Sequence, residues 1–127
     1  MTEMEPVRWL DIQFIEDNRG QLLVVESAQI PFPPARFFTT SVKGEIRERG
    51  GHSHKDCWQV LFCISGEIEV QVVTKNSTEI YALKVGGSAL LIPAGYWCKQ
   101  IFRDADSVLG AIASHAYDAA DYVYEIP

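Results

Sequence analysis

The sequence predicts an all-β protein built as a sandwich or a barrel, and three observations lead to this fold class. Short apolar runs rich in β-branched and aromatic residues recur every 8–12 residues or so, a spacing typical of such folds. Clusters of Gly, Pro, Asn and Asp separate these runs. Helical periodicity is absent except for one possible turn at residues 118–122. A length of 127 residues leaves room for one domain, residues 1–127.

Local residue chemistry supports each predicted strand. The first follows a turn at residues 17–20 that is rich in Asn and Gly, and the second follows three prolines that exclude a helix. In the fourth, Ile68, Val70 and Val72 alternate with polar residues, which is typical of a half-buried strand. Turns at residues 75–76, 86–87, 93–95 and 104–106 separate the later strands. The eight predicted strands are residues 21–26, 35–42, 57–64, 67–73, 79–85, 89–92, 97–102 and 108–113.

The third predicted strand, residues 57–64, carries apolar side chains on both faces. Trp58, Val60, Phe62 and Ile64 share one face, while Leu61 and Cys63 share the other with Gln59. In so small a protein, a sheet buried on both sides suggests that a second subunit covers one of them. We therefore expect a homodimer, with a loop lying over Trp58 as the alternative.

Composition limits the class of partner. Eleven Lys and Arg against seventeen Asp and Glu give a formal charge of −6, which excludes a nucleic-acid polymer as the main ligand. The three cysteines match no zinc spacing and indicate reduced thiols. With no apolar leader at the N-terminus and no apolar run of about 20 residues, we expect a cytoplasmic protein that does not enter a membrane.

The segment Arg49-Gly50-Gly51-His52-Ser53-His54-Lys55 contains the main candidates for chemistry. If this stretch is extended, His52 and His54 point to the same side because they lie two residues apart. Two neighbouring imidazoles can hold a metal or share acid–base work, because each titrates near neutral pH. A histidine pair on a surface loop is the alternative interpretation.

The residues around this pair resemble the two motifs of the cupin superfamily, whose fold is a double-stranded β-helix. Gln59 and Gly66 follow the histidines, and Gly87, Pro93-Ala94-Gly95 and Cys98 form the second motif. Metal-binding cupins have Glu where this chain has Gln59, and His where it has Cys98. A zinc or copper site made of His52, His54 and Cys98 is therefore one alternative, since a thiolate binds either metal.

Five blocks of residues, which together cover nearly the whole chain, carry a closer resemblance. They are Asp17-x-Arg19-Gly20-x-Leu22 with Glu26, Ile30-Pro31-Phe32 with Arg36, Arg49-Gly50-x-His52-x-His54-Lys55 with Gln59 and Gly66, Ile92-Pro93 with Trp97, and Ser114-x-x-Tyr117-Asp118-x-x-Asp121-Tyr122. In these blocks the chain resembles the WxcM-like sugar 3,4-ketoisomerases of the cupin class. This family acts on dTDP-4-keto-6-deoxyglucose, and the resemblance implies an enzyme that is dimeric and uses no metal or other cofactor.

The resemblance implies an isomerase that moves a ketone from C4 to C3 of a dTDP-linked keto-deoxyhexose. Such a reaction removes the proton at C3 and returns one at C4 through an enediol, which suits groups with a pKa near the working pH. His52 and His54 are the predicted catalytic pair: one takes the carbon proton, and the other moves protons on the sugar oxygens.

Five of the eleven Lys and Arg lie within twenty residues, around the two histidines, although the chain as a whole is acidic. Arg36 and Arg49 are the better candidates for the diphosphate, because a guanidinium grips phosphate oxygens in a fork. Lys55 and Gln59 are further predicted substrate-binding residues. Trp97 is expected either to line the pocket, where it could stack on a base, or to belong to the core.

Members of the family have a tyrosine just after the position of Arg36, where this chain has Phe37-Phe38-Thr39-Thr40. If that hydroxyl orients the sugar or relays a proton, Thr39 or Thr40 must replace it, and Thr39 is then a further predicted substrate-binding residue. This difference keeps open a second alternative, a cupin that binds a sugar nucleotide without turning it over.

Overall fold

The structure, a computed structural model, describes residues 4–127 and contains β-strands joined by turns and two single-turn 3-10 helices. The 3-10 helices are Ser27–Gln29 and Ala119–Asp121. The strands are β1 (Arg8–Leu10), β2 (Gln13–Asp17), β3 (Gly20–Val24), β4 (Arg36–Ser41), β5 (Glu48–His54), β6 (Gln59–Ser65), β7 (Glu67–Val73), β8 (Thr78–Lys84), β9 (Ala89–Ile92), β10 (Trp97–Phe102), β11 (Val108–Ala113) and β12 (Tyr122–Val123).

Two five-stranded antiparallel sheets face each other. One has the strand order β1-β9-β6-β11-β4 and the other β12-β5-β10-β7-β8. Successive strands largely alternate between the sheets, which is the double-stranded β-helix arrangement expected for a cupin. The all-β prediction is confirmed. The hairpin of β2 and β3 forms a separate two-stranded sheet.

The main core lies between the two sheets, where β6 contributes Leu61 and Cys63 and β7 contributes Ile68, Val70 and Val72. The three β7 side chains are at most 1% exposed, so the alternation seen in the sequence is the alternation between core and outer face. At the end of the sandwich where β4, β5, β10 and β12 meet, the core is open and polar side chains line a cavity.

The outer face of β6 is covered by an earlier part of the same chain. Val60 is 0% exposed and Phe62 6%, and both pack in a second cluster with Ile30, Leu23 and Phe32. Trp58 is half-buried against the loop that carries Phe32. The expected reason for a dimer, an uncovered apolar face on this strand, is therefore wrong at Val60 and Phe62, because residues of the same chain bury that face.

All eight predicted strands are present, with ends that match or differ by at most two residues, and the predicted turn at 118–122 contains the second 3-10 helix. The sequence did not predict β1, β2 or β12, and proposed β5 only conditionally. These strands are short or polar and form because partners across the sheet satisfy their backbone groups. Within residues 4–127 there is no helix long and apolar enough to cross a membrane.

Candidate active site

The cavity at the open end of the sandwich has a volume of about 150 Å³. Both sheets contribute to its lining, which combines polar and apolar side chains. The lining residues are Phe38 and Thr40 of β4, Arg49, Gly50 and His52 of β5, Gln59 and Leu61 of β6, Gln100 of β10, Leu109 of β11 and Tyr122 of β12.

Glycines let β5 pass close to β10 beside this cavity. Gly50 has a φ of +84°, a conformation that L-residues other than glycine rarely adopt. A Cβ built there would lie 2.6 Å from Gln100 Oε1, which is closer than real contacts allow. The ladder between β5 and β10 shifts register at the same point, so the glycine allows a bulge that precedes the two histidines.

His52 is the histidine that lines the cavity. Its ring is half-buried and packs against three other rings, with centroids 5.0 Å from His54, 4.5 Å from Tyr122 and 6.1 Å from Tyr124. Burial, and then the nearby charge of His54, lower the pKa of His52 below its usual 6.5. At neutral pH its imidazole is therefore uncharged and able to accept a proton.

His54 lies behind His52 and is held by a carboxylate. Its side chain is 8% exposed, and its Nδ1 is 2.9 Å from Oδ2 of Asp121. Its Nε2 is buried with no partner within the described part of the chain. Asp121 accepts the Nδ1 proton and so fixes the orientation and tautomer of the ring, as a carboxylate does for a catalytic histidine.

The carboxylate of Asp121 has further partners that keep it ionised. Burial alone would raise the pKa of Asp121, but the hydrogen bonds from the backbone N–H of Asp56, from His54 and from the backbone N–H of Cys57 outweigh it and lower that pKa. Asp118 in the same segment caps the second 3-10 helix by accepting from the N–H of Ala120, whereas Asp121 supports His54.

Sequence reasoning also missed Tyr122. The ladder between β12 and β5 pairs Tyr122 with His54, and the ring lies 4.5 Å from His52 and 4.6 Å from His54, centroid to centroid. The available signal was its place in the Asp121-Tyr122 pair, within the C-terminal block that carries the family resemblance.

The predicted cations occupy different positions around the cavity. Arg49 lines it, and its Nη1 donates to the carbonyl of Ser41. The guanidinium carbon of Arg36 lies 5.0 Å from the ring centroid of Phe38, which lines the cavity, and 5.8 Å from that of Tyr117. Arg36 Nε is buried with no partner among the described residues. Lys55 is exposed and outside the cavity lining.

Of the remaining predicted substrate-binding residues, some face the cavity and others do not, depending on their position in a strand. Gln59 is 7% exposed and lines the cavity. On β4 the pleat turns Thr39 to the exposed outer face and Thr40 into the cavity, so Thr40 is the hydroxyl near the histidines. Trp97 is 7% exposed, and its Nε1 donates to the carbonyl of Tyr124. It therefore anchors the C-terminal segment from the core, the second of its two expected roles.

The alternative metal site of His52, His54 and Cys98 is not assembled. Cys98 packs in the main core, where burial raises the pKa of its thiol to about 12. Among residues 4–127, the His, Cys and carboxylate groups close enough to share an ion are His54, Cys57 and Asp121. In that cluster His54 and Asp121 bond to each other, and Cys57 Sγ donates to the carbonyl of Trp58, so hydrogen bonds already account for the arrangement.

Comparison with known proteins gives consistent matches. A family model described as FdtA (WxcM-like, C-terminal) matches residues 5–127. Over 116 residues the chain is 31% identical to the TDP-4-oxo-6-deoxy-alpha-D-glucose-3,4-oxoisomerase of Aneurinibacillus thermoaerophilus, and this match covers 90% of the chain and 83% of that protein.

Solved structures of similar proteins cover nearly the whole chain. A sugar 3,4-ketoisomerase from Thermoanaerobacterium thermosaccharolyticum in complex with TDP superposes with a TM-score of 0.86 at 28% identity, over 94% of this chain and 88% of that one. A TDP-quinovose 3,4-ketoisomerase from Campylobacter jejuni has a TM-score of 0.84 at 28% identity, over 96% and 95%. A histidine-to-asparagine variant of the Thermoanaerobacterium enzyme was solved with TDP-4-keto-6-deoxyglucose, also with a TM-score of 0.86. These likenesses confirm the cupin fold.

Proposed function

The chain belongs to the FdtA (WxcM-like, C-terminal) family, and we propose that it is a nucleotide-sugar 3,4-ketoisomerase that converts a dTDP-4-keto-6-deoxyhexose to its 3-keto isomer. The observation that carries the proposal is a neutral, half-buried His52 in the cavity of a chain whose relatives are named for this reaction. The product has the same atoms as the substrate, so the protein has to supply only proton transfers.

His52 is the carbon base in this proposal. Removal of the C3 proton leaves its electron pair to form the C3–C4 double bond, while the electrons of the C4 carbonyl move to O4. Return of a proton to C4 and collapse of O3 to a carbonyl complete the isomerisation. A base that is uncharged at the working pH and close to the substrate suits this step, and such a group typically contributes about 10²–10⁴-fold.

His54 assists His52 instead of acting on the sugar. It lies outside the cavity lining, it is bound to Asp121, and its ring packs edge-on against that of His52. Because Asp121 holds His54 in place, the His54 ring limits the orientations that the His52 ring can adopt. His54 also lowers the pKa of His52. The histidine pair is therefore unequal, with one residue at the substrate and the other supporting it.

The cavity is sized for the sugar, and the cations around it suit the diphosphate. Its volume of about 150 Å³ is below the range of about 300–1,000 Å³ that whole ligands occupy, which leaves the nucleotide at the mouth. We assign Arg49, in the lining, and Arg36, beside Phe38 and with a buried Nε that has no partner among residues 4–127, to the diphosphate. We assign Gln59 and Thr40, which also line the cavity, to the sugar hydroxyls.

The proposed assembly is a homodimer in the cytoplasm. On the β2–β3 hairpin, Ile15 and Leu22 pair directly across the strands and are 44% and 55% exposed. A two-stranded hairpin with an uncovered apolar face is marginal by itself, and a second copy of the chain would cover it. The three cysteines are free thiols, which suits a reducing compartment.

The direct test is incubation with dTDP-4-keto-6-deoxyglucose in D2O, followed by NMR. We expect the ketone to move to C3 and deuterium to appear at C4. Exchange at C3 with inversion of its configuration and the ketone still at C4 would instead indicate epimerisation, and TDP binding without any exchange would indicate a non-catalytic binding protein. Either result would overturn the proposal.

A further inference from the structure

We propose that Tyr122 is a further catalytic residue, whose phenol moves the proton between the two sugar oxygens while His52 acts on the carbons. The inference rests on the proposed function and names the group that completes the same proton transfer. It removes that task from His54, which does not line the cavity.

The position of Tyr122 supports this role. It lines the cavity together with His52, and the two rings are 4.5 Å apart, centroid to centroid. Its ring also packs 4.6 Å from that of His54 and 5.7 Å from that of Tyr117. Pairing of β12 with β5 fixes the backbone of Tyr122 opposite His54. A sugar carbon within reach of His52 therefore brings its attached oxygens next to this phenol.

The other lining groups are less suited to the task. Arg49 cannot release its proton at physiological pH, and its Nη1 already donates to the carbonyl of Ser41. Gln59 and Gln100 have no proton that titrates. Thr40 carries a hydroxyl, but an alkyl hydroxyl is a far weaker acid than a phenol, whose usual pKa is about 10. Tyr122 is the group beside His52 in the lining that best donates and accepts a proton.

The proton balance closes without a co-reactant. When His52 takes the C3 proton and negative charge develops on O4, the Tyr122 hydroxyl donates its proton to O4. The phenolate then takes the proton from the O3 hydroxyl as O3 becomes the carbonyl and the imidazolium returns a proton to C4. Tyr122 and His52 end as they began, and the substrate has exchanged the positions of its ketone and hydroxyl.

The test compares Tyr122→Phe with Tyr124→Phe, because both changes remove only an oxygen. Tyr124 stacks beside Tyr122 but is 69% exposed and outside the cavity lining. For Tyr122→Phe we expect kcat to fall about 100-fold, with TDP affinity and Tm unchanged. Because His52 remains, the ratio of C3 deuterium exchange to 3-keto product should rise. Tyr124→Phe should behave as the wild type.

Three results would overturn the inference. The first is a Tyr122→Phe variant whose kcat stays within threefold of the wild type. The second is a Tyr122→Phe variant that loses TDP binding and activity together while the ratio of C3 exchange to 3-keto product is unchanged. The third is a rise of that ratio in Thr40→Val and not in Tyr122→Phe. An inactive wild type would instead overturn the proposed function itself, so the two failures are distinguishable in one set of assays.

Discussion

His54 Nδ1 lies 2.9 Å from Asp121 Oδ2, and the carboxylate that makes this contact also accepts the backbone N–H of Asp56 at 2.7 Å. The C-terminal segment thus fixes the second histidine of β5 from 67 residues away. Backbone pairing of β12 with β5 holds the two ends of the contact together. The site therefore depends on the C-terminal segment as much as on the histidine motif.

Asp121→Asn should lower kcat by about 10²-fold or more, because an amide can present its NH2 to His54 and impose the wrong tautomer. Binding of TDP should change little. Asp118→Asn is the matched control in the same segment, since Asn caps a helical turn about as well as Asp. Steady-state kinetics measure kcat, and calorimetric titration measures TDP affinity, in both variants. An equal loss of kcat in Asp121→Asn and Asp118→Asn would contradict the role of Asp121.

His52→Asn should abolish turnover and leave the thermal melt nearly unchanged, because His52 is half-buried at the cavity and its side chain lies beside solvent-accessible space. His54→Asn should lower both activity and Tm, because it breaks a partly buried hydrogen bond and leaves the carboxylate of Asp121 with one partner fewer. Activity assays together with melting curves distinguish the His52→Asn variant from the His54→Asn variant. Full activity in His52→Asn would remove it from the mechanism.

The acid limb of kcat/KM should lie below pH 6.5, because burial and the charge of His54 lower the pKa of His52. The reactive base is the neutral form, so activity is present above the lowered pKa and is lost as the pH falls through it. The rings that pack against His52 are those of His54, Tyr122 and Tyr124, and the charged Arg49 lines the same cavity. In His54→Gln the charge disappears and the limb should move to higher pH. A limb that stays in place would exclude this coupling.

Arg49→Gln and Arg36→Gln should each weaken TDP binding by about 10- to 100-fold, the loss expected for one charge-assisted hydrogen bond of about 1.5–3 kcal/mol. Arg103→Gln is the control, because Arg103 is paired with Glu69 away from the cavity. Calorimetric titration with TDP measures all three. Unchanged affinity in both cavity variants would contradict the assignment of the diphosphate to these arginines.

Sedimentation should show the wild type as a dimer and the double variant Ile15→Glu, Leu22→Glu as a monomer, because charges would then occupy the apolar face of the hairpin. Ile80→Glu is the control: Ile80 is 61% exposed on β8, in a different sheet. A monomeric wild type would contradict the proposed assembly. A double variant that is still a dimer would also contradict the proposed assembly.

Local chemistry was enough to predict much of the fold. Alternation of apolar residues predicted β7, and apolar runs between turn residues predicted β6, β9, β10 and β11. It could not predict β5, whose seven residues Glu48–His54 are polar or glycine. That strand is extended because β10 and β12 pair with its two edges, and such partners are not visible in a local pattern.

The sequence by itself determined the all-β class and eight of the twelve described strands, the histidine pair, the local cluster of basic residues in an acidic chain, and the family. Only the tertiary structure decided how these residues are used: His52 lines the cavity and His54 does not, Thr40 faces inward and Thr39 outward, and Asp121 and Tyr122 join the site. The physical reason is that strand register and the pairing of distant segments decide which way each side chain points. These depend on contacts between residues far apart in the chain, which spacing along the sequence does not contain.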